Sequence, residues 1–413
     1  MTKTLYLFIL LFTANTLFAQ QEAVPDVVIC HADFTDGMVQ ILAAQNSGLK
    51  RSVTSSIEVT YVGFPDVAKT AFEEAVSIWE GILISKMPIR IKATWESISG
   101  STLAYTKATR IFRNVDKVPY KDVWYVGPLA EAISGKDLND GDYDVEVNLN
   151  KNINWSYSTN GAIFTGRFDL ITVVLHEIAH GLGFSSSMKL INDNTEGSWG
   201  QSGFPYIYDL YLENSKDILL TNTNSFLNPS AELQNVLISE DVYFQISNAK
   251  YVDNLPKIYS PNPFKSGGSI SHLDESAYPI GSVNSLMSPS IHSAEAIHDP
   301  GELILSMMNQ IGWPVNNLES FTILSQMPEL EPKILVYPNP TNGTLAVAVP
   351  VNLRSTHAHI EIIDLQGKVW FTLNENTMNK GTVYLETEQL SSGTFLLRVN
   401  SEKGVFTKRI IKR

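Results

Sequence analysis

The sequence predicts an α+β chain: a twisted sheet carrying one long buried helix, followed by a small all-β sandwich. Three observations predict it. Alternating β-branched stretches and helical repeats share the first three quarters of the chain. After Trp313 the composition shifts, and residues 316–333 hold no periodic element. From Ile334 onward, short β runs are separated by turn residues.

The elements follow in order. Lys3, the apolar run 5–12 and a region richer in small residues ending at Ala19 form a signal peptide over residues 1–19. That run is too short to span a bilayer, and no later stretch reaches about 18 consecutive apolar residues. Residues 20–55 are mixed in character and read as a short pro-segment. Residues 57–62 alternate and read as a strand. Asp66 is placed to cap a helix in which Val67, Phe72, Ala75, Val76, Trp79, Ile82 and Leu83 share a face. Residues 89–95 and 144–149 return to alternation. A long helix is expected over about 169–182, with Asp169 as its N-cap and Gly181 and Gly183 ending it.

Residues 316–333 read as a linker and 334–413 as the sandwich. Its runs are 334–337, 344–349, 359–363, 369–373, 382–386, 394–399 and 405–411. Asn342-Gly343, Gln366-Gly367 and Ser392-Gly393 supply the turn chemistry between them.

Composition narrows the function classes. Hydrophobic residues make up 44% and charged residues 18%, enough apolar material for packed cores and too little charge for a disordered chain. A net charge of −13 argues against nucleic acid or an anionic membrane as partner, because both need a basic footprint. The single cysteine, Cys30, cannot form an internal disulfide, so stability rests on packing and ions.

The strongest chemical signal is His176-Glu177-Ile178-Ala179-His180. On a helix, positions i and i+4 share a face, so both imidazoles reach one ion. Zinc suits imidazole, and a catalytic zinc needs three protein ligands and one open position. Glu177 stands beside the first ligand, where it serves as general base toward a metal-activated water. A third ligand must come from elsewhere. The histidines before the sandwich are His272, His292 and His298.

The stretch 176–183 resembles the first part of the metzincin signature, HExxHxxGxxH. Ser186 stands where that signature has its last histidine. Ser271-His272-Leu273-Asp274 and then Asn284-Ser285-Leu286-Met287-Ser288-Pro289 resemble the leishmanolysin-like arrangement, in which an insert displaces the third histidine and a methionine turn follows. The resemblance covers roughly residues 57–313. It implies a metzincin-like zinc endopeptidase acting on proteins or peptides, over residues 56–315 with an insert at about 186–270. It also implies His272 as third zinc ligand, since His272 alone precedes Met287. His292 and His298 are then expected to cap or cover the closing helix near 302–313, and Asp274 to orient a ligand histidine. Pro289 occupies the position where some metzincins place a tyrosine, so no second transition-state stabiliser is assigned.

The segments 336–340 (Val-Tyr-Pro-Asn-Pro), 363–368 and 390–395, with the basic end 408–413, resemble the type A sorting domain of the bacterial type IX secretion system. That resemblance implies export across two membranes by the type IX machinery, to the surface or the medium.

Weaker signals remain. The acidic run 137–144 is a weak calcium candidate, because its glycine falls one position early for an EF-hand; a solvated turn is the simpler reading. Tyr206, Tyr208 and Tyr211 either line the cleft or form a small aromatic core in the insert. Cys30 is a candidate latency switch, released by a cut near Lys50-Arg51, against the plain reading of a small buried residue. Glu196 and Glu213 are the candidates if a glutamate completes the metal site. An inactive, adhesin-like binding protein is the alternative to an enzyme, and the intact Glu177 favours the enzyme.

Overall fold

The computed structural model describes residues 20–42, 53–248, 250–251, 254–316, 335–337, 339–348, 359–374, 382–401 and 404–413. The signal peptide, Lys50-Arg51 and all of the linker except Asn316 lie outside the described residues. The architecture is mixed α+β with several sheets, followed by an all-β region.

The central sheet has six strands. In chain order these are β1 (Val28–Ile41), β2 (Ile57–Val62), β3 (Ile89–Glu96), β4 (Thr102–Ala108), β5 (Val145–Asn150) and β6 (Ser290–Ile297). Across the sheet the order is β6-β1-β4-β5-β3-β2. β2, β3 and β5 are parallel neighbours, β4 runs antiparallel to β5 and to β1, and β1 runs parallel to β6. A parallel pair needs a crossover, and helix α1 (Asp66–Glu80) supplies it between β2 and β3. Helix α2 (Gly127–Ser134) precedes β5, and α3 (Leu170–Gly181) lies beside α1 against β4 and β5. In the insert, α4 (Ala231–Leu237) packs on a short hairpin; α5 (Glu302–Ile311) closes the region.

Helix α1 departs from expectation in two ways. Asp66 is its first residue rather than a cap; Pro65 precedes it and no side chain caps the end. Val67 is exposed, while Ala68, Ala71 and Ile78 join Phe72, Ala75, Val76 and Trp79 in the core. The expected face is otherwise kept, with Ile82 and Leu83 also buried, and is widened by alanines, which sequence patterning weights lightly.

Residues 20–55 contain β1, the strand second from the sheet's edge. Its sequence hides it: after Val28 and Cys30 the apolar alternation breaks at Asp33, Thr35 and Asp36. β4 also escaped the periodicity, since both Leu103 and Ala104 are buried where alternation would expose one.

The C-terminal strands match the pattern to within two residues at either end. One sheet holds β7 (Leu335–Tyr337), β8 (Thr344–Ala348) and β11 (Thr382–Glu386). The other holds β9 (His359–Asp364), β10 (Val369–Asn374), β12 (Gly393–Ser401) and β13 (Gly404–Lys412). The orders are β7-β8-β11 and β10-β9-β12-β13. Leu345, Val347 and Leu385 from the first sheet meet Ile360, Ile362 and Val399 from the second in one buried core. Among the described residues, no helix is long and apolar enough to cross a membrane.

Candidate functional site

Helix α3 begins where the sequence places it. Asp169 is the N-cap, and its carboxylate accepts from the Thr172 amide at 2.8 Å. The same oxygen accepts from the Thr172 hydroxyl at 2.8 Å and lies 2.9 Å from His298 Nε2. The sequence predicts that His298 caps or covers the closing helix; the residue instead braces the start of α3, and no side chain caps the closing helix. His292 also departs from that expectation: its Nδ1 lies 3.0 Å from the Thr35 hydroxyl on β1.

Every residue of α3 is buried. Two tryptophans fix it from outside. Trp79 of α1 donates its indole N–H to the Leu175 carbonyl at 3.2 Å, and Trp313 donates to the Leu182 carbonyl at 2.7 Å. At Gly181 a Cβ would lie 2.4 Å from Val145 Cγ1 of β5, so only glycine lets the helix approach the sheet this closely. Gly183 adopts φ +108°, a conformation that L side chains rarely take, and turns the chain back beneath His180.

The three expected ligands converge. His176 and His180 Nε2 atoms are 3.0 Å apart, His180 and His272 3.2 Å, and His272 and His176 3.3 Å. Each opposite ring nitrogen meets a main-chain carbonyl: His176 Nδ1 lies 2.7 Å from Leu286 O, His180 Nδ1 2.6 Å from Phe184 O, and His272 Nδ1 2.7 Å from Gly268 O. A carbonyl only accepts, so each Nδ1 carries the proton and each Nε2 presents a lone pair to the common centre. Burial holds all three rings neutral, His176 at about 4, His272 at about 3 and His180 well below the usual imidazole range. Three lone pairs aimed at one point repel unless a cation lies between them. A tetrahedral zinc with nitrogens at about 2.05 Å separates its ligands by about 3.3 Å. The donor set therefore fits zinc.

Sequence reasoning missed the orienting carbonyls, since a main-chain oxygen has no residue signature. It also gave Asp274 a role that the geometry withholds. The Asp274 carboxylate accepts from the Ser276 amide at 2.9 Å and pairs with Lys257 at 3.5 Å, away from the histidines. His272 is set instead by its backbone: Leu273 N–H donates to Met287 O at 2.8 Å, and Tyr259 N–H to His272 O at 2.9 Å. Met287 ends a buried 3-10 turn, Ser285–Met287, whose Leu286 carbonyl is the one holding His176. Ile270, two residues before His272, has φ +69°, a strained conformation for a β-branched residue.

Glu177 is fully buried, and neither of its oxygens has a hydrogen-bond partner. Burial pushes its carboxyl up to about 8; the Thr106 hydroxyl exerts a smaller opposing pull, although it stands outside hydrogen-bond geometry and is itself without a partner. Cys30 lies close by: its sulfur and ligand atoms of His176 and Glu177 are all within 4.8 Å of one another.

The remaining candidates lie elsewhere. Ser186 donates its hydroxyl to Asp209 at 2.7 Å. Glu196 sits in the insert hairpin beside Asn192, and Glu213 is buried against Gln245. Tyr208 and Tyr211 pack on Phe244, and Tyr208 also on Phe184, so they form the aromatic core of the insert. In the run 137–144, Asp137 accepts from the Gly141 amide and pairs with Arg90, and Asp142 pairs with Arg110. Among the described residues, those carboxylates do not gather three ligand atoms at one point.

Comparison with known proteins identifies one part of the chain. Residues 335–413 match the family described as "Secretion system C-terminal sorting domain". The chain therefore carries a type IX sorting domain, which sends it to the cell surface or beyond through that machinery. Residues 137–224, which include α3 and the first part of the insert, match a family described as SPBPB7E8-like. No curated protein matches the chain. A solved structure described as "Biofilm associated protein - BSP domain" is similar at 18% identity over 19% of this chain, with a TM-score of 0.16. The match spans only 14% of that protein's length, and so slight a likeness carries no argument.

Proposed function

We propose that this exported chain is a zinc-dependent endopeptidase of metzincin type, hydrolysing peptide bonds in proteins or peptides outside the cell. The observation that carries the proposal is the convergence of three Nε2 lone pairs beside a buried carboxylate without a partner. His176, His180 and His272 would hold the metal. Bound there, zinc supplies Lewis acidity and lowers the pKa of water. Glu177 takes a proton from the attacking water and delivers it to the leaving amine. Leu286, Phe184 and Gly268 carbonyls keep the three rings in the ligating tautomer throughout.

Burying a carboxylate without a partner costs at least about 1–3 kcal/mol. A protein that only binds a surface partner gains nothing from that cost, which weighs against an inactive adhesin. The test joins metal analysis of the purified chain with cleavage of a peptide library. One zinc per chain and chelator-sensitive cleavage are expected. A chain that takes up no metal when zinc is supplied would sink the proposal.

A further inference from the structure

The insert leaves helix α3 just after Phe184 and returns at His272. Both arms of this neck carry unusual backbone. Gly183 turns out at φ +108° and Ile270 comes back at φ +69°. A β-branched residue keeps such a conformation only where its surroundings over-determine it. The two arms must therefore be held.

Asp209 lies within the insert on the 3-10 turn Tyr208–Tyr211 and is fully buried. Its carboxylate reaches back to the departing arm. Oδ1 accepts from the Ser186 hydroxyl at 2.7 Å and the Ser187 amide at 3.0 Å. Oδ2 accepts from the Tyr206 amide at 2.9 Å and from the Ser187 hydroxyl. The two hydroxyls are themselves oriented. That of Ser186 accepts from the Met188 amide at 3.0 Å, and that of Ser187 from the Gly200 amide at 2.6 Å. Each hydroxyl proton is thus left for the carboxylate. Burial lifts the Asp209 carboxyl above its usual range, and these four donors pull the other way.

Only a carboxylate fits this place. Each of its oxygens meets a main-chain N–H, that of Ser187 at one and that of Tyr206 at the other. An asparagine would have to turn its amide nitrogen toward one of them, donor against donor.

From the departing arm the contacts pass to the returning one. The Ser186 amide donates to the hydroxyl of Ser271, the residue before His272, at 3.0 Å. In the other direction, Phe184 offers its carbonyl to His180 Nδ1 at 2.6 Å. Residues 184–187 therefore touch His180 at one end and the His272 segment at the other. The position where the short signature has its own histidine here links the two arms.

We infer that Asp209 is a positioning residue for the metal centre: it pins the departing arm and, through Ser186 and Ser271, sets His272 opposite His180. The inference rests on the metal reading of the three histidines and not on peptide hydrolysis. An insert of this length brings its ends together at modest entropic cost. Closure alone does not hold the ends to the roughly 0.2 Å that metal–ligand distances tolerate. The clamp does so before the ion arrives.

The test uses the full-length chain, stripped of metal. It is titrated with zinc against a competing chelator, and with cobalt, whose visible absorption reports the ligand set. Three variants are compared at a temperature where circular dichroism shows each one folded. Asp209→Asn should lower zinc affinity by about ten- to a hundredfold and alter the cobalt spectrum. Ser271→Ala cuts only the link to the returning arm and should lower affinity by about threefold or more. Leu237→Ala, a core truncation in α4, should lower the melting temperature and leave zinc affinity within about twofold. Wild-type affinity in Asp209→Asn would overturn the inference. So would an equal loss in Leu237→Ala, because any loosening of the insert would then suffice. Should Asp209→Asn fail to fold, Ser271→Ala decides by the same measurements, and wild-type affinity there overturns the inference. A wild type that binds neither zinc nor cobalt removes the metal reading and this inference together, whereas a zinc-tight Asp209→Asn removes the inference alone.

Discussion

In the sandwich, Leu345, Ile362, Leu385 and Val399 are fully buried, and among its described residues Lys412 is the sole buried titratable side chain. The region before the linker buries His176, Glu177, His180, His272, Glu131 and Asp144 within or beside its apolar core. The two regions face the same solvent conditions, so the difference lies in what each must do. A sorting domain needs a stable surface for export machinery to recognise. On the proposed reading, a core that keeps a buried carboxyl group without a hydrogen-bond partner against three neutral imidazoles gives up stability for chemistry.

The contrast can be broken most sharply at its boundary. Deleting residues 335–413 should abolish appearance of the protein outside the cell while the first region keeps a cooperative thermal transition, because each region has its own apolar core. Fractionation and calorimetry read the two results, and normal secretion of the truncated chain would refute the sorting role.

Within the first region, Glu177→Gln removes the base and leaves the ligands. Turnover should fall by more than about a hundredfold with zinc content unchanged. Substantial activity in a zinc-loaded variant would dissolve the assignment. His272→Ala should lower zinc affinity by about a hundredfold or more, since two ligands remain. His292→Ala and His298→Ala should leave zinc stoichiometry intact, though loss of His298 should weaken the start of α3. Equilibrium dialysis against a competing chelator separates these outcomes.

Gly181→Ala tests how closely α3 must approach β5. The added methyl would lie 2.4 Å from Val145 Cγ1, so a loss of about 1–3 kcal/mol in denaturant unfolding is expected. A Gly181→Ala, Val145→Ala double variant should recover part of that loss.

The smallest expected effect concerns Glu131. Its carboxyl is pushed up to about 7, first by burial and then by neighbouring Asp144, which burial itself lifts to about 6. Asp137 raises Glu131 further and Arg90 lowers it. The folded state holds this proton more tightly than the unfolded chain, so stability falls as pH rises from about 4.5 to 7. Glu131→Gln keeps an oxygen for the Leu138 amide, which donates at 2.8 Å, and removes the charge. It should stabilise the protein by about 1 kcal/mol at neutral pH and flatten that slope. Unfolding curves at pH 5 and pH 7.5 show whether it does.

The sequence by itself determined what local periodicity and local caps control. His176, Glu177 and His180 share a helix because i and i+4 stack, and Asp169 starts that helix because its carboxylate reaches the Thr172 amide. The sandwich strands were legible for a similar reason: their apolar residues alternate toward one shared core, as Ile360 and Ile362 do on β9. His272 was legible only through the order of a resemblance, His272 before Met287.

Tertiary structure alone decided the rest. It brought His272 back across 92 residues to His180, turned Asp274 away to Lys257, and chose the Leu286, Phe184 and Gly268 carbonyls to orient the rings. It also seated β1 between β4 and β6, strands that lie far apart in the chain. Side-chain pattern reports which face of an element is buried. It does not report which edge an element pairs with, because main-chain N–H and C=O groups are the same at nearly every residue and carry no sequence label.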